Sequence, residues 1–300
     1  MERGSGKRLL ACMAVCACMI AMLVFISAGA AIGADLQEIK KAGVLRHLGV
    51  PYANFVTGSG DGLDVELVKL FAQHLGVGYK YVKTSWKDVI GDLTGNVVKA
   101  RGEDIEIVGN VPVKGDIVAN GFTILSWRKK VVNFSTPTFP TQIWVIARHD
   151  SAMRPIKPSG DIDIDIASVK ALLKGRTVLG VANTCLDPSL YSLGEAGARV
   201  KLFTRNLNEL VPAVIKGDAA ATLLDVPDAL IALEKWPGKI KVIGPLSRMQ
   251  NMGCAFAKSS ISLRDAFNRF FDQCKKDGAY VRLVKKYYPT VLRYYPEFFK

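Results

Sequence analysis

The spacing of apolar and polar positions changes along the chain, and each change marks an element. After an N-terminal apolar block, LQEIKKAG (36–43) has helical spacing and stops at Gly43. VLRHLGV (44–50) reads as a strand. DVELVKLFAQHLGV (64–77) sets Val65, Val68, Ala72 and Leu75 on one face, which predicts a helix capped by Asp64 and ended by Gly76. GYKYVKT (78–84) alternates as a strand does, and SWKDVIGDL (85–93) predicts a helix starting near Ser85. This repeated order implies an α/β fold with largely parallel sheets.

Residues 96–115 hold two short β-like pieces broken by Gly and Pro, an inserted loop or hairpin. NGFTILSWRKKVVNFS (120–135) is an apolar strand-like run followed by three cations, and STPTFPTQIWVIAR (135–148) reads as an extended crossover. RPIKPSGDIDID (154–165) is a surface stretch and a plausible border between lobes. The pattern then repeats: a helix near 167–174, strand RTVLGVA (176–182), a helix around 186–193, strand VKLFT (200–204), helix NELVPAVIKG (208–217) and strand AATLLD (220–225). Pro212 is tolerable only in the first turn of its helix. A second extended stretch, MGCAFAK (252–258), precedes a helix over 262–278 with Ser262 and Asp265 as a capping box and Gly278 as its stop, and AYVRLVKKYY follows. The chain thus divides into a first lobe (35–145), a second lobe (146–250) and a return to the first (251–300).

Residues 1–34 stand apart. Arg3, Lys7 and Arg8 precede an uncharged run from Leu9 to Ile26, and small residues lead to Ala34, the pattern of a secretory signal peptide. The run is also long enough for an uncleaved membrane anchor. Either reading places the remainder outside the cytoplasm. Setting aside this segment leaves 37 of 40 basic and 26 of 27 acidic residues, a net +11. The charges are dispersed, without an arginine-rich tail or a DNA-reading motif, so a solvated basic surface is expected and no nucleic-acid partner. Of six cysteines, Cys185, Cys254 and Cys274 lie beyond the leader, and Cys254–Cys274 is the expected pair if one forms. His47, His74 and His149 are scattered, and no cysteines have metal-site spacing, so no metal is expected.

Two lobes joined by two extended segments make a hinge around a cleft, and strand ends with their loops line such a cleft. Five loops offer ligand-binding groups. Tyr52 in YANF is an aromatic wall or a core residue, and Trp86 packs, contacts ligand, or does both. Gly121 admits close backbone approach, and Thr123 adds a hydroxyl. Arg128 carries a planar donor fork suited to a carboxylate, which the neighbouring lysines lack. Thr184, between a strand and the next predicted helix, is an N-cap or an anion contact. Asp225 ends a strand ahead of Pro227 and is a cap or an ammonium partner. Together these groups outline an α-amino acid.

Here the chain resembles the extracytoplasmic solute-binding proteins of polar amino acid ABC transporters, known as family 3. YANF is similar to Y-x-P-F of that family, GLDVELVKLFAQHLGV to its first long helix, and NGFTILSWRKKVVNFS to G-x-T-I-T-x-x-R-x-x-x-hydrophobic-D-F-S. LLKGRTVLGVANT and KGDAAATLLDVP match two further motifs in order. The resemblance, over residues 36–290, implies a two-lobed periplasmic-binding-protein fold of the second type, without cofactor. It also implies a monomer serving a membrane ABC permease. It makes Arg128 the carboxylate anchor, Gly121 and Thr123 its neighbours, Thr184 the second-lobe carboxylate contact, Asp225 the ammonium partner and Tyr52 the stacking aromatic. Trp127, Asn183 and Ala220 depart from the motifs. Two alternatives stay open. One is an enzyme like the cyclohexadienyl dehydratases of the same scaffold, although Leu186 stands where their acid belongs and Asp187 is one position further on. The other is a sensing module working through a separate receptor.

Overall fold

The computed structural model describes residues 33–102 and 104–299, and all but the last two residues of the expected leader lie outside them. Strands, in chain order, are β1 (Val44–Gly49), β2 (Gly78–Lys83), β3 (Asn96–Arg101), β4 (Asp104–Asn110), β5 (Ile117–Val118), β6 (Val132–Phe134), β7 (Phe139–Thr141) and β8 (Ile143–Arg148). They continue with β9 (Thr177–Gly180), β10 (Arg199–Leu202), β11 (Ala221–Asp225), β12 (Ile240–Pro245), β13 (Gln250–Met252) and β14 (Ala255–Ala257). Two five-stranded sheets result, ordered β2-β1-β5-β14-β6 and β10-β9-β11-β8-β12.

In each sheet four strands share one direction and one runs against them: β14 in the first and β8 in the second. Those two are the strands that arrive from the other lobe, so their opposite sense follows from the double crossing. The crossing segments also pair with each other, β7 against β13, with Asn251 opposite Pro140. Backbone hydrogen bonds thus tie the two connections into one ribbon, on which one lobe can swing relative to the other.

Each sheet buries its faces under helices. The helix Leu63–Leu75 sets Leu67, Val68 and Phe71 into the first core, where Phe71 meets Phe267 of the helix Ile261–Lys276 edge-on at 5.2 Å. The latter helix contributes the predicted stripe, Leu263, Phe267, Phe270, Phe271 and Cys274, all buried. The insertion is a hairpin, β3 against β4, whose strands pair only with each other. It leans on the short helix Ser126–Val131, and Lys130 reaches Asp104 at 3.0 Å.

Several local expectations are corrected. The cap of the helix Leu63–Leu75 is Gly62, at φ +132°; Asp64 lies inside the first turn and is buried. Ser85 and Asp88 close a turn, and the helix begins only at Val89. The predicted helix around 186–193 is a single 3-10 turn, Pro188–Tyr191, which Ser192 ends in the left-handed region. Ser260, not Ser262, caps the helix Ile261–Lys276, and Asp265 pairs with Arg264 at 2.7 Å. Cys254 and Cys274 are buried free thiols, not a disulfide. Helix Val226–Lys235 and β12 were not evident from the sequence pattern.

Candidate functional site

Arg128 lies on the short helix Ser126–Val131, not in a loop beyond a strand, and is only 2% exposed. Its guanidinium stacks 3.9 Å from the Phe122 ring centroid. Nη1 donates to the Thr123 carbonyl at 2.9 Å, and Nη2 crosses to the second lobe to donate to the Asn183 carbonyl at 3.2 Å. Nε has no partner, and no carboxylate pairs with this cation among the described residues. Burial lowers its pKa to about 10, which leaves it protonated at neutral pH. A buried cation with two neutral acceptors and no counter-ion is an energetic demand for an anion.

Asp225 ends β11 in the second lobe and is fully buried. One oxygen caps the helix Val226–Lys235 by accepting from the Asp228 N–H at 3.2 Å. The other accepts the Tyr52 hydroxyl, which comes from the first lobe, at 2.5 Å. The cap reading of this residue therefore holds, and its second oxygen is turned to a group from the other lobe. Tyr52 stacks on Phe55 and meets Trp86 edge-on at 5.5 Å, while Trp86 lies parallel to Phe122. Tyr52, Trp86, Phe122 and Arg128 thus form one chain of ring contacts.

Gly121 is placed differently from expectation. Its N–H donates to buried Asp64 at 2.7 Å, and a Cβ there would come within 2.6 Å of the Phe55 ring. With φ at +65°, the position needs glycine for backbone shape and packing, not for ligand approach. The Thr184 hydroxyl is also committed: it donates to the Val181 carbonyl at 2.8 Å and accepts the Leu186 N–H at 3.0 Å. The neighbouring Asn183 N–H is occupied as well, because Asp187 accepts it at 3.0 Å. Thr123 is buried with its hydroxyl against the Cys185 thiol, its one side-chain neighbour for a hydrogen bond. The amide of wholly buried Asn120, one residue before Gly121, is unpaired at both ends. Such orphaned groups are rare in folded proteins and point to an absent partner.

Sequence reasoning missed Cys185. Its thiol lies 4.0 Å from Asp225 and within electrostatic reach of Arg128, so it neighbours both charges. Burial raises the thiol to about 12, so it is neutral. Its place directly after Thr184 was the available signal. Two cavities flank this centre. One of about 420 Å³ touches Trp127, Asn183, Thr184 and Tyr191; the other, of about 580 Å³, touches Trp86, Asn183 and Phe203. Arg128, Tyr52 and Asp225 line neither of them.

The carboxylates carry a pH dependence. Burial raises Asp225 from its ordinary 3.8 to about 6, and burial with the nearby Asp225 charge raises Asp228 to about 8. Tyr52 and Cys185, which also face Asp225, stay neutral in this range. A carboxyl whose folded pKa is raised binds its proton more tightly when folded. The resulting stability is complete below about pH 4 and is lost as pH rises through about 6. An ammonium group needs the opposite, an ionised Asp225. Calorimetric melting should therefore show the stabilisation by an amino-acid ligand growing from about pH 5 to about pH 7.5. The Asp225→Asn variant should lose that growth; a ligand effect rising equally in that variant would assign it elsewhere.

The chain belongs to the bacterial extracellular solute-binding proteins, family 3, whose family model matches residues 112–290. Its architecture is the two-lobed periplasmic-binding-protein fold. A mutant of ArgBP from T. maritima superposes with a TM-score of 0.67 at 26% identity, over 85% of this chain and 99% of that one. The ancestral amino acid-binding protein AncCDT-1, a precursor of cyclohexadienyl dehydratase, gives 0.65 at 27% identity, over 84% and 99%. Among curated proteins, the membrane-bound lytic murein transglycosylase F of Desulfosudis oleivorans is 28% identical over 233 residues. That match takes in 77% of this chain but only 44% of the relative, so the chain spans less than half of that protein's length.

Proposed function

We propose that this protein binds an α-amino acid between its lobes, outside the cytoplasm, and delivers it to a membrane ABC permease. One observation carries the reading: Arg128 is buried at the meeting of the lobes with no carboxylate partner among the described residues. A ligand carboxylate would complete it, with Thr123 and Asn120 beside it, while a ligand ammonium would take the Asp225 oxygen now held by Tyr52. Tyr52 and Trp86 would then flank the ligand. Family membership and the likeness to amino-acid-binding neighbours support the same reading.

Catalysis is the weaker reading. The carboxylate nearest to the position of a dehydratase acid, Asp187, accepts from the Asn183 and Ser189 N–H groups and the Ser189 hydroxyl, which is the work of a cap. These bonds tie it to its own loop, at the edge of the cavity of about 420 Å³ that it helps to line. A thermal-shift screen tests the proposal. At a concentration near 100 times its Kd, an α-amino acid should stabilise the protein by about 2.7 kcal/mol. The matching amine without a carboxylate, and the acid without an ammonium, should each lose most of that effect. Equal stabilisation by either truncated compound would overturn the reading.

A further inference from the structure

The cavity of about 580 Å³ beside the Arg128 centre has an unbalanced wall. Lys83, at the end of β2, and Lys87, in the turn after it, reach it from the first lobe; Arg205, just past β10, reaches it from the second. None of its lining residues is an aspartate or glutamate. Lys83 and Lys87 enter no ion pair among the described residues. Arg205 has only long contacts, 3.5 Å to Glu209 and 3.7 Å to Asp218, and its guanidinium lies 4.8 Å from the Phe203 ring. Phe203 and Trp86 add an apolar surface from each lobe.

This cavity adjoins the proposed amino-acid site through two shared neighbours. Trp86 abuts Tyr52, and Asn183, whose carbonyl accepts from Arg128, lines it as well. A side chain leaving the Tyr52–Asp225 side past Trp86 would enter a space where three cations converge from both lobes. Like charge disfavours a cationic group there, and clefts lined by one sign of charge concentrate the opposite sign.

We infer that the ligand carries a second anionic group, a carboxylate or a phosphate, seated among Lys83, Lys87 and Arg205. The inference rests on the amino-acid reading of the Arg128 site. It also separates this chain from ArgBP, a neighbour that is known in an arginine-bound form. A guanidinium side chain would here meet three like charges.

Titration calorimetry on the purified protein tests it, with L-glutamate, O-phospho-L-serine and γ-L-glutamyl-L-glutamate as anionic probes. L-Glutamine and L-arginine are the controls, each measured at low and high salt. At least one anionic probe should bind ten times or more tightly than L-glutamine, more weakly as salt rises, with L-arginine weakest. The glutamate and phosphoserine arms tell carboxylate from phosphate. Arg205→Gln and Lys87→Gln, exposed changes compatible with folding, should each weaken the favoured anionic probe about tenfold and leave L-glutamine unchanged. Tighter binding of L-glutamine or L-arginine than of every anionic probe overturns the inference and leaves the amino-acid reading standing. Binding of all probes unaffected by Arg128→Met overturns the amino-acid reading and the inference with it, as does binding of none.

Discussion

Arg128→Met is expected to abolish ligand-induced stabilisation while leaving the unligated protein at least as stable as before. The guanidinium is buried with two carbonyl acceptors, an unpaired Nε and no counter-charge. Desolvating an ion costs several kcal/mol, and two hydrogen bonds to neutral acceptors recover only part of it. Methionine fills a similar volume and can lie on the Phe122 ring. The stranded carbonyls of Thr123 and Asn183 cost about 1 kcal/mol each, less than the relieved charge burial. With ligand present the balance reverses, because a buried carboxylate then loses its partner, a loss of about 2–5 kcal/mol or a Kd weaker by roughly 30-fold to several thousand-fold. Melting curves with and without ligand would check both halves. A variant that melts lower without ligand and still responds to it would show that Arg128 supports the fold and not the binding.

Gly121→Ala should be strongly destabilising for a change of one methyl group. The left-handed backbone costs a residue with a Cβ about 1–2 kcal/mol, and the new methyl meets the Phe55 ring at 2.6 Å. Phe55 cannot retreat freely, since Phe139 and Tyr288 pack against it at 5.1 and 4.8 Å. Overpacking adds about 1–3 kcal/mol, for a total of about 3 kcal/mol. A urea midpoint lowered accordingly, with unchanged slope, is the expected measurement; a loss of ligand affinity without a loss of stability would restore the ligand-approach role. The Asp64 carboxylate that accepts the Gly121 N–H has its other oxygen buried and unpaired, so displacement of this backbone also strains a costly group.

The fold was legible because most of its signals are local. Glycine stops at Gly43, Gly76 and Gly217 all take the left-handed conformation that ends a helix, and the strand after Gly217, Ala221–Asp225, is buried throughout. Caps were read less well. Asp64 and Ser262 have the right chemistry for caps, but tertiary partners decide: Gly121 claims Asp64, and the turn at Lys258–Ser259 starts the helix earlier, with Ser260 at the N-cap position. Pro188 and the left-handed Ser192 cut the helix predicted around 186–193 to one turn.

The candidate site was legible in its residue types but not in their commitments. Arg128, Tyr52, Asp225 and Thr123 do come together in the buried contact between the lobes. That Tyr52 would hold Asp225 directly could not be read, since the two are 173 residues apart and meet only through the double crossing. For the same reason the pattern hid Cys185 as a neighbour of both charges; the Thr184 hydroxyl is occupied within its own turn, by Val181 and Leu186.

The bond from Tyr52 to Asp225 has a kinetic meaning. It joins the lobes directly, and in the proposed amino-acid reading the protein's own phenol holds the acceptor that an incoming ammonium would take. Uptake then waits on spontaneous parting of this contact, and the observed association rate should level off at high ligand concentration instead of climbing linearly. The fraction of time spent open would scale the apparent affinity directly. The tyrosine would thus act as a timer on capture.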